Sequence, residues 1–313
     1  MTEANANNSL PALSQSLAAA VERVSPAIVA VNARPRVPTS GIVWRDGIIV
    51  STNHTVRRDE EITITLADGR WLPATLAGRD PGTDLAVLRL EKDQALNIDA
   101  VTTIGDDALK IGNLALAVGR VHERGVTASL GIVSNLGDKW RTRRGGEIDR
   151  LIRPDVSIFI GFSGGVLIDL EGRAVGINTT GLSRGGGLTI PASTVNHVVD
   201  TLLVHGHVAR PYLGVAMQPV MLPAELRNKF NLPRESALLM LSVEAEAPAG
   251  RGGIMLGDVL LALDGTPVAD TDDVQAVLSR SNVGQTINAT ILRGGEQRET
   301  ILTLGHRTTP KGK

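Results

Sequence analysis

The segment Asp80–Leu90, with the sequence DPGTDLAVLRL, decides how the N-terminal part of this 313-residue chain folds. Its Pro-Gly pair marks a turn, and Leu85–Leu90 is apolar except at Arg89, which is typical of a buried strand. Asp84 directly precedes this strand, where a charge is costly unless it has a partner. We expect its carboxylate to orient another polar group; ordinary turn chemistry is the alternative interpretation.

Short segments of the same kind lie on both sides of this strand. They are rich in β-branched residues and are separated by Gly, Asp, Asn or Pro. Many short strands at close spacing predict a β-barrel or sandwich rather than alternating strands and helices. The predicted strands are Ala27–Val31, Gly47–Val50, Glu61–Leu66, Leu85–Leu90 and Leu114–Val118.

Helical patterns occur before and after these strands. Residues 10–24 predict a short amphipathic helix, and Thr194–Leu203 predicts a second one. His207–Arg210, followed by Pro211, is typical of a linker, and strand and helix patterns resume beyond it. The predicted organisation is an N-terminal segment at 1–24, a mostly β domain at 25–207 and an α+β domain at 211–307.

The composition limits the classes of function. Hydrophobic residues make up 42% and charged residues 21% of the chain, ordinary values for a globular protein. The formal net charge of -1 gives no reason to expect nucleic acid or an anionic membrane as a partner. The chain has no cysteine, which excludes disulfides, thiolate metal sites and a cysteine nucleophile. No stretch approaches the roughly 18 consecutive apolar residues that a membrane span needs.

Ser163 lies in a glycine-rich turn, Gly161–Gly165, with the sequence GFSGG. A serine in such a turn exposes its hydroxyl while backbone N–H groups point at one spot beside it. This geometry suits a nucleophile next to an oxyanion hole. Alone the pattern is weak, because Gly and Ser are common in ordinary β-turns.

His54 follows the predicted strand Gly47–Val50. Histidine suits a general base near neutral pH, although a lone histidine is more often a hydrogen-bonded polar residue without catalytic role. The three candidates occur in the order His54, Asp84 and Ser163 within one many-stranded unit. This is the chain order of the chymotrypsin-type triad, which is identified by the roles of its residues rather than by their spacing.

Longer motifs connect these residues to a known family. The segment STNHTV around His54 resembles the T-N-x-H-V-V motif of HtrA/DegP-type serine proteases, and DPGTDLAVLRL resembles their aspartate motif. Gly131–Ser134 (GIVS), Gly176–Thr179 (GINT) and Gly187–Ser193 (GLTIPAS) resemble three further motifs of the family in the same order. The resemblance covers about Ser40–Leu304 and implies a chymotrypsin/trypsin-like double β-barrel followed by a PDZ domain.

The resemblance also implies chemical roles. Ser163 is expected to attack the scissile carbonyl, His54 to act as general base, and Asp84 to orient the imidazole. The N–H groups of Gly161 and Ser163 are expected to form the oxyanion hole. No metal or cofactor is expected.

Two loops depart from the family pattern. The family shows N-P-G-N-S-G-G-P around its serine, whereas this chain has Ile160 and Phe162 at the second and fourth positions. Gly119–Gly125 (GRVHERG) replaces the family's G-N-P-[FL]-G loop, and we expect it to border the active site. These differences favour an alternative, a chaperone-like or scaffold protein that binds peptides and whose protease site is silent. The presence of the triad and of Gly161 favours the active enzyme.

Substrate preference is expected to depend on the residue six positions before the serine, which lies at the base of the primary specificity pocket in this fold. That residue is Ser157, and apolar Ile158 follows it. A preference for Lys or Arg would need a buried carboxylate at this place. We therefore expect cleavage after small or medium aliphatic residues.

The second domain carries two motifs that resemble those of PDZ domains. The run Tyr212, Leu213, Gly214, Val215 resembles the carboxylate-binding loop Y-[LI]-G-[VI], and Gly257–Gly265 (GDVLLALDG) resembles a second motif. A PDZ domain binds an extended peptide as an added strand, while loop N–H groups capture the terminal carboxylate. C-terminal or extended peptides are the expected partners here.

Three other patterns receive no separate function. His205-Gly206-His207 has no third metal ligand nearby and is typical of a surface turn. The basic run Lys139–Arg144 is typical of a solvated loop in a chain without net positive charge. Gly185–Gly187 lacks the strand, helix and lysine of a phosphate-binding loop.

The expected activity is hydrolysis of peptide bonds in unfolded or damaged proteins. Members of the resembled family typically form trimers through aromatic contacts near the start of the protease domain. This chain has no aromatic residue before Trp44, so a homotrimer would need aliphatic contacts. The polar N-terminus shows no signal peptide, which indicates the cytoplasm, whereas the family resemblance indicates a periplasmic or other extracytoplasmic location.

Overall fold

Six antiparallel strands of the N-terminal part close into a barrel in the computed structural model, which describes residues 9–91, 98–122, 125–183 and 185–306. Residues 1–8 of the predicted N-terminal segment and residue 307 of the predicted second domain lie outside these ranges. The strands are β1 (Ile28–Asn32), β2 (Thr39–Arg45), β3 (Ile48–Thr52), β4 (Ile62–Thr65), β5 (Trp71–Asp80) and β6 (Leu85–Leu90). Their order around this first barrel is β1-β2-β3-β6-β5-β4.

Branched aliphatic side chains fill the first barrel, because the chain has few aromatic residues that could do so. Ile28, Ile42, Ile49 and Leu88 are fully buried. Strand β6 is buried at every position except Arg89. Its apolar run does not alternate because both of its faces are covered.

A second barrel of six antiparallel strands follows. Its strands are β7 (Leu114–His122), β8 (Gly125–Gly137), β11 (Leu151–Asp155), β12 (Val166–Ile168), β13 (Ala174–Thr179) and β14 (Leu188–Pro191). They close in the order β11-β14-β13-β12-β7-β8. Between β8 and β11 the chain forms a small hairpin of β9 (Trp140–Arg141) and β10 (Glu147–Ile148).

Two helices pack against these barrels. Helix α1 (Ser9–Val24) buries Ala20 and Val24 and leads through a 3-10 turn into β1, while Leu10 at its start is exposed. Helix α2 (Ala192–His205) contacts β5 and β6 of the first barrel and β13 and β14 of the second. Its buried side chains therefore help to cover both barrels.

The chain divides into two compact units between Val208 and Ala209, inside the predicted linker. The second unit contains a sheet in the order β16-β17-β18-β20-β21 with its own apolar core. Its strands are β15 (Pro211–Tyr212), β16 (Val215–Met221), β17 (Ser236–Val243), β18 (Val259–Leu263), β19 (Thr266–Pro267), β20 (Thr286–Arg293), β21 (Glu296–Thr303) and β22 (Gly305–His306). Its helices are α3 (Ala224–Phe230), α4 (Pro248–Arg251) and α5 (Thr271–Leu278).

The predicted fold class is confirmed: the first unit is a double β-barrel and the second is an α+β domain. Strand β6 has the predicted bounds, and β1 and β3 begin one residue later than predicted. The predicted helix at Thr194–Leu203 begins two residues earlier and ends two residues later in the structure. Strand β7 begins at the predicted Leu114 but continues past the predicted end at Val118 to His122, because its pairing with β8 extends it.

Candidate active site

His54 is positioned by the pairing of β3 with β6. In this pairing Thr52, the last residue of β3, lies opposite Leu85, the first residue of β6. The turn after β3 therefore lies beside Asp84. The N–H of Asn53 donates to the Asp84 carbonyl oxygen over 2.9 Å.

The buried carboxylate of Asp84 joins three donors. Its Oδ1 accepts from the His54 backbone N–H over 2.9 Å, and its Oδ2 lies 2.7 Å from His54 Nδ1. The Thr179 hydroxyl donates to the same Oδ2. Asp84 has a φ of 61°, in the left-handed region that residues other than Gly rarely adopt. The polar partner expected for this charge is thus His54, which Asp84 contacts at the backbone N–H and at the imidazole ring.

The turn that carries Asp84 is shaped by a second buried aspartate. Asp80 Oδ1 accepts from the Gly82 N–H over 2.9 Å, and Asp80 Oδ2 accepts from the Thr83 hydroxyl over 2.7 Å. An aspartate that bonds to the backbone two residues on is a standard way of forming a tight turn. Turn chemistry therefore explains Asp80, whereas Asp84 serves the imidazole.

The turn around Ser163 is compatible only with glycine at the following position. Gly164 has a φ of 88°, and a Cβ built on it would lie 2.1 Å from the carbonyl oxygen of Ser40. The Gly164 N–H donates to the Asn178 carbonyl oxygen over 2.9 Å. The Thr39 hydroxyl donates to the Ser163 carbonyl oxygen over 2.6 Å. The first barrel, through Thr39 and Ser40, thus helps to hold a loop of the second.

The Ser163 hydroxyl lies beside Thr180. Its Oγ is 3.2 Å from Thr180 Oγ1, and the Thr180 N–H donates to it over 3.4 Å. This contact follows from the pairing of β12 with β13, in which Val166 lies opposite Ile177. Beyond the paired residues, Asn178 exchanges backbone hydrogen bonds with Gly164 and Gly165 over 2.9 and 2.8 Å, which brings the neighbouring Ser163 close to Thr180. Among the hydrogen bonds of the described residues, none joins Ser163 Oγ to His54.

Three consecutive residues that begin with the last residue of β13 bring the candidates together. Thr179 donates to Asp84, Thr180 contacts Ser163, and a Cβ built on Gly181 would lie 2.7 Å from His54 Nδ1. The two barrels contribute His54 and Asp84 on one side and Ser163 on the other. His54, Asp84 and Ser163 therefore all lie beside the short segment 179–181.

The predicted oxyanion donors lie on the same loop. The Gly161 carbonyl oxygen accepts from both the N–H and the hydroxyl of Ser40, over 2.9 and 2.7 Å. Within the described part of the chain, neither the Gly161 N–H nor the Ser163 N–H takes part in a hydrogen bond. Neither N–H group therefore has a protein partner in this part of the chain.

The two departures in the serine loop have different environments. Phe162 is fully buried in the core of the second barrel, with its ring edge-on to that of Phe159 at a centroid distance of 5.2 Å. Ile160 is 81% exposed. Phe162 therefore fixes the loop to the core of the second barrel. Phe159 and Ile160 expose apolar surface to solvent.

Arg120 lies in the loop that was expected to border the active site, and its side chain is buried. Its side-chain Nε donates to the Ile28 carbonyl oxygen over 2.7 Å, and its backbone N–H donates to Ser40 Oγ over 2.9 Å. Burial lowers the pKa of this guanidinium below its ordinary value. The neighbouring Val121 borders the site, since a Cβ on Gly161 would lie 2.7 Å from its Cγ1. The last two non-glycine residues of the predicted loop, Glu123 and Arg124, lie outside the described residues.

The predicted specificity residues lie on the segment that follows β11. Ser157 is exposed, and its N–H donates to Ser129 Oγ over 3.0 Å. Ile158 is half-buried and packs against the core of the second barrel. Their role in substrate preference stays a prediction.

The predicted carboxylate-binding loop leads into the edge of the second unit's sheet. Leu213 is buried, and Gly214 has a φ of 80° with its carbonyl oxygen accepting from the Glu244 N–H over 2.9 Å. Val215 begins β16, which pairs on one side with β17 and is the first strand of the sheet. Tyr212 donates its hydroxyl to Glu244 over 2.5 Å.

The patterns that received no function have structural explanations. Gly206 ends α2 in a left-handed conformation, with its N–H donating to the Leu202 carbonyl oxygen, and His207 Nδ1 contacts the carbonyl oxygen of His205. No group of three or more His, Asp or Glu side chains suited to a metal ion occurs among the described residues. In the same part of the chain no helix is long and apolar enough to cross a membrane.

Sequence reasoning missed the residues that support the triad. Ser40, Thr179 and Thr180 were not predicted to touch the site, although Thr179 ends the GINT motif that the family resemblance includes. Its position at the end of this motif could have identified Thr179 as a site residue. Nothing in the sequence pattern distinguished Thr180 or Ser40 from other polar residues at strand ends.

Comparisons with known proteins agree with this architecture. Residues 39–177 match the family described as trypsin-like peptidase domain, and residues 211–304 match the PDZ domain. The chain is 34% identical over 278 residues to a "Probable periplasmic serine endoprotease DegP-like" of Rhizobium meliloti, covering 87% of this chain and 54% of that protein. A protein with the same description from Halomonas elongata is 34% identical over 269 residues, covering 84% and 55%. The chain spans about half the length of the curated relatives it matches.

Two solved structures extend the likeness to the whole described fold. "HtrA-type protease AlgW with decapeptide" is 30% identical with a TM-score of 0.68, covering 94% of this chain and 99% of that one. A serine endoprotease from Yersinia pestis is 28% identical with a TM-score of 0.68, covering 92% and 97%. The fold and the matched domains define a trypsin-like peptidase domain joined to a PDZ domain. The chain belongs to the HtrA-type family of serine proteases.

Proposed function

We propose that this protein is a serine endopeptidase that uses His54, Asp84 and Ser163. The observation that carries the proposal is the contact of Thr179, Thr180 and Gly181 with Asp84, Ser163 and the His54 ring, respectively. A nucleophile, a base and a base-orienting carboxylate that converge in this way are the parts needed for acyl transfer.

The reaction follows from these positions. Ser163 Oγ attacks the scissile carbonyl carbon while His54 Nε2 takes the hydroxyl proton. His54 returns that proton to the leaving amine, and an acyl-enzyme remains. Water then attacks the ester with His54 again acting as base, which releases the carboxylic acid and restores Ser163. Asp84 holds Nδ1 of the imidazole at 2.7 Å and stabilises its positive charge.

The oxyanion is assigned to the N–H groups of Gly161 and Ser163. Removal of one such donor typically slows catalysis by about 10²–10³-fold. The bonds from Ser40 to the Gly161 carbonyl oxygen support this assignment, because they fix the orientation of the loop backbone from the first barrel.

The second unit is proposed to bind C-terminal or extended peptides at Tyr212, Leu213, Gly214 and Val215. Support comes from β16, which begins at Val215 and lies at the edge of the sheet, where a peptide can add as a further strand. The titles of the solved relatives name a bound decapeptide and tripeptide.

Further features are proposed from the family and the sequence. We propose unfolded polypeptides as substrates. Cleavage is proposed to occur after small or medium aliphatic residues, a preference set by Ser157 and Ile158. The proposed domain bounds are 25–207 and 211–307. An extracytoplasmic location is proposed in place of the cytoplasmic expectation, because the curated relatives are described as periplasmic. A homotrimer through aliphatic contacts is proposed as the assembly, and a monomeric mass in sedimentation would contradict it.

The proposal is tested by degradation of casein with the wild type, Ser163→Ala and Ser134→Ala. Ser134 is a matched control, since its hydroxyl is exposed and donates to the Arg153 carbonyl oxygen away from the triad. Degradation lost only in Ser163→Ala supports the proposal. Equal degradation by all three contradicts the assignment of Ser163.

A silent peptide-binding protein is the second candidate, because Ser163 Oγ bonds to Thr180 rather than to His54. A serine-reactive fluorophosphonate separates the two functions. Labelling of the wild type but not of Ser163→Ala indicates an activated nucleophile. Peptide binding without labelling or cleavage indicates the silent protein.

A further inference from the structure

The basic hairpin β9–β10 is anchored beside the turn that carries Asp84. The buried Thr142 hydroxyl donates to the Gly82 carbonyl oxygen over 2.7 Å. A Cβ on Gly146 would lie 2.1 Å from the Gly82 carbonyl carbon, so the two loops are in close contact. The hairpin is therefore held against the catalytic aspartate's loop by a specific bond and by close packing.

The tip of this hairpin is a tight turn. The Thr142 N–H donates to the Gly146 carbonyl oxygen over 2.8 Å, and the Gly145 N–H donates to the Thr142 carbonyl oxygen over 2.9 Å. The Thr142 hydroxyl also accepts from the Gly146 N–H over 3.1 Å. The backbone that carries Arg143 and Arg144 is thus fixed, and both side chains are exposed.

A pocket of about 320 Å³ lies between this tip and the backbone that follows the triad contacts. Its lining residues are Thr142, Arg143, Arg144, Gly181, Leu182 and Ser183. Gly181 forms one wall and approaches the His54–Asp84 pair so closely that a Cβ would lie 2.5 Å from Asp84 Oδ2. The pocket therefore adjoins the reacting groups, and a peptide held at Ser163 can reach it within a few residues at roughly 3.3 Å per residue.

The charges on the hairpin are divided. Lys139 and Arg141 both pair with Glu147. Arg143 and Arg144 take part in no ion pair among the described residues. Two guanidinium groups that have no carboxylate partner in the described part of the chain thus border a pocket next to the triad. An arginine guanidinium can donate two parallel N–H bonds to one carboxylate of opposite charge. A neutral substrate side chain forms no such charged pair with arginine.

We infer that this pocket is a substrate subsite for an acidic side chain, Asp or Glu, near the scissile bond, with Arg143 and Arg144 as its specificity-determining residues. The inference rests on the proposed peptidase function. It adds a charge requirement to the aliphatic preference that Ser157 and Ile158 are proposed to set.

The first test measures cleavage of a peptide series by the full chain. One Asp is moved through the positions on both sides of an aliphatic cleavage site, and each Asp peptide is compared with its Asn counterpart. All peptides have amidated C-termini, which removes the carboxylate that the PDZ domain would capture. We expect one position at which Asp raises kcat/KM by about fivefold over Asn, and the preference to shrink at high salt, where charge interactions are screened.

Arg143→Gln/Arg144→Gln is expected to reduce this preference to less than about twofold, with a larger loss of kcat/KM for the Asp peptide than for its Asn counterpart. Arg141→Gln is the matched control, because it removes the same charge from the same hairpin outside the pocket lining. Absence of an Asp preference at every position overturns the inference. Equal loss of cleavage for Asp and Asn peptides in the double variant overturns it as well, since that result indicates a purely structural role.

A binding measurement keeps the inference testable if the protein cleaves nothing. Fluorescence anisotropy of the labelled Asp and Asn peptides is measured with Ser163→Ala, with and without the two arginine substitutions. Tighter binding of an Asp peptide that depends on Arg143 and Arg144 supports the subsite even without proteolysis. Cleavage of neutral peptides without discrimination in either assay leaves the proposed function standing and rejects the subsite.

Discussion

The hydroxyl oxygens of Ser163 and Thr180 lie 3.2 Å apart, so the proposed nucleophile is hydrogen-bonded to a threonine in the resting protein. Both residues lie close to the bonds that join Gly164 and Gly165 to Asn178, just before β12 and near the end of β13. Before Ser163 can transfer its proton to His54, its hydroxyl must exchange this partner for the imidazole. In the described residues the Ser163 hydroxyl is therefore bonded to Thr180 and not to the general base.

Thr180→Val is expected to raise kcat/KM about two- to fivefold, because it removes a competing hydrogen bond that is worth about 1 kcal/mol or less. The substitution keeps the shape of the side chain and the backbone N–H. Steady-state cleavage of a neutral peptide measures the effect, and Thr180→Ser, which keeps the hydroxyl, serves as control. A fall in kcat/KM with Thr180→Val but not with Thr180→Ser would show instead that the hydroxyl positions the nucleophile.

Thr179→Val is expected to lower kcat about tenfold with little change in KM. The substitution removes a hydroxyl that donates to the buried Asp84 carboxylate, and hydrogen bonds to charged groups contribute about 1.5–3 kcal/mol. Thr189→Val is the matched control, because it removes another buried hydroxyl, bonded to Asn178 over 2.9 Å, on the neighbouring strand β14. Equal loss of kcat in both variants would argue against a specific effect on Asp84.

Gly181→Ala is expected to reduce kcat/KM by more than about 100-fold without unfolding the protein. Its Cβ would lie 2.5 Å from Asp84 Oδ2 and 2.7 Å from His54 Nδ1, so the pair must shift, and small displacements of reacting groups have effects of this size. Gly185→Ala is the control, since a Cβ there meets no atom within 4 Å. Peptide cleavage and thermal unfolding are measured together. Full activity of Gly181→Ala would contradict the proposed positions of His54 and Asp84.

Arg293→Gln is expected to destabilise the second unit by about 3 kcal/mol at pH 7, because it leaves the buried Asp258 carboxylate without its cationic partner. Burial by itself raises the pKa of Asp258, but hydrogen bonds from Arg293 and Met255 outweigh burial, so the pKa lies below its ordinary value. The stabilisation by this pair is therefore present above the unfolded-state pKa of about 3.9 and is lost as the pH falls through the folded-state pKa.

The measurement is urea unfolding of the full chain at pH 7 and at decreasing pH, followed by methyl NMR signals of the second unit's core. The stability difference between wild type and Arg293→Gln should narrow below about pH 4. Arg227→Gln is the control, because Arg227 pairs with the exposed Glu235 in the same unit and does not act on Asp258, and such pairs contribute little. A difference independent of pH would show that Arg293 acts through packing alone.

The sequence predicted the candidate triad because each residue lies at a strand end whose pattern is local. The apolar run Leu85–Leu90 and the preceding Asp84 can be recognised from the sequence of that segment alone. The glycine turn around Ser163 can be recognised in the same way. The burial of Arg120 was not predictable in this way. Its partners, the carbonyl oxygens of Ile28 and Ser25, are more than 90 residues away in the chain.

By itself, the sequence determined a mostly β first domain, a second domain and the residue types available for chemistry, because strand periodicity and turn residues are properties of short segments. The double-barrel class followed from the resemblance of its ordered motifs to a known family. Only the tertiary structure decided what those residues touch. The resting partner of Ser163, the hydroxyl on Asp84 and the pocket beside Arg143 and Arg144 all arise where separate loops meet. Contacts of this kind depend on strand register and on the packing of one barrel against the other, which no local pattern encodes.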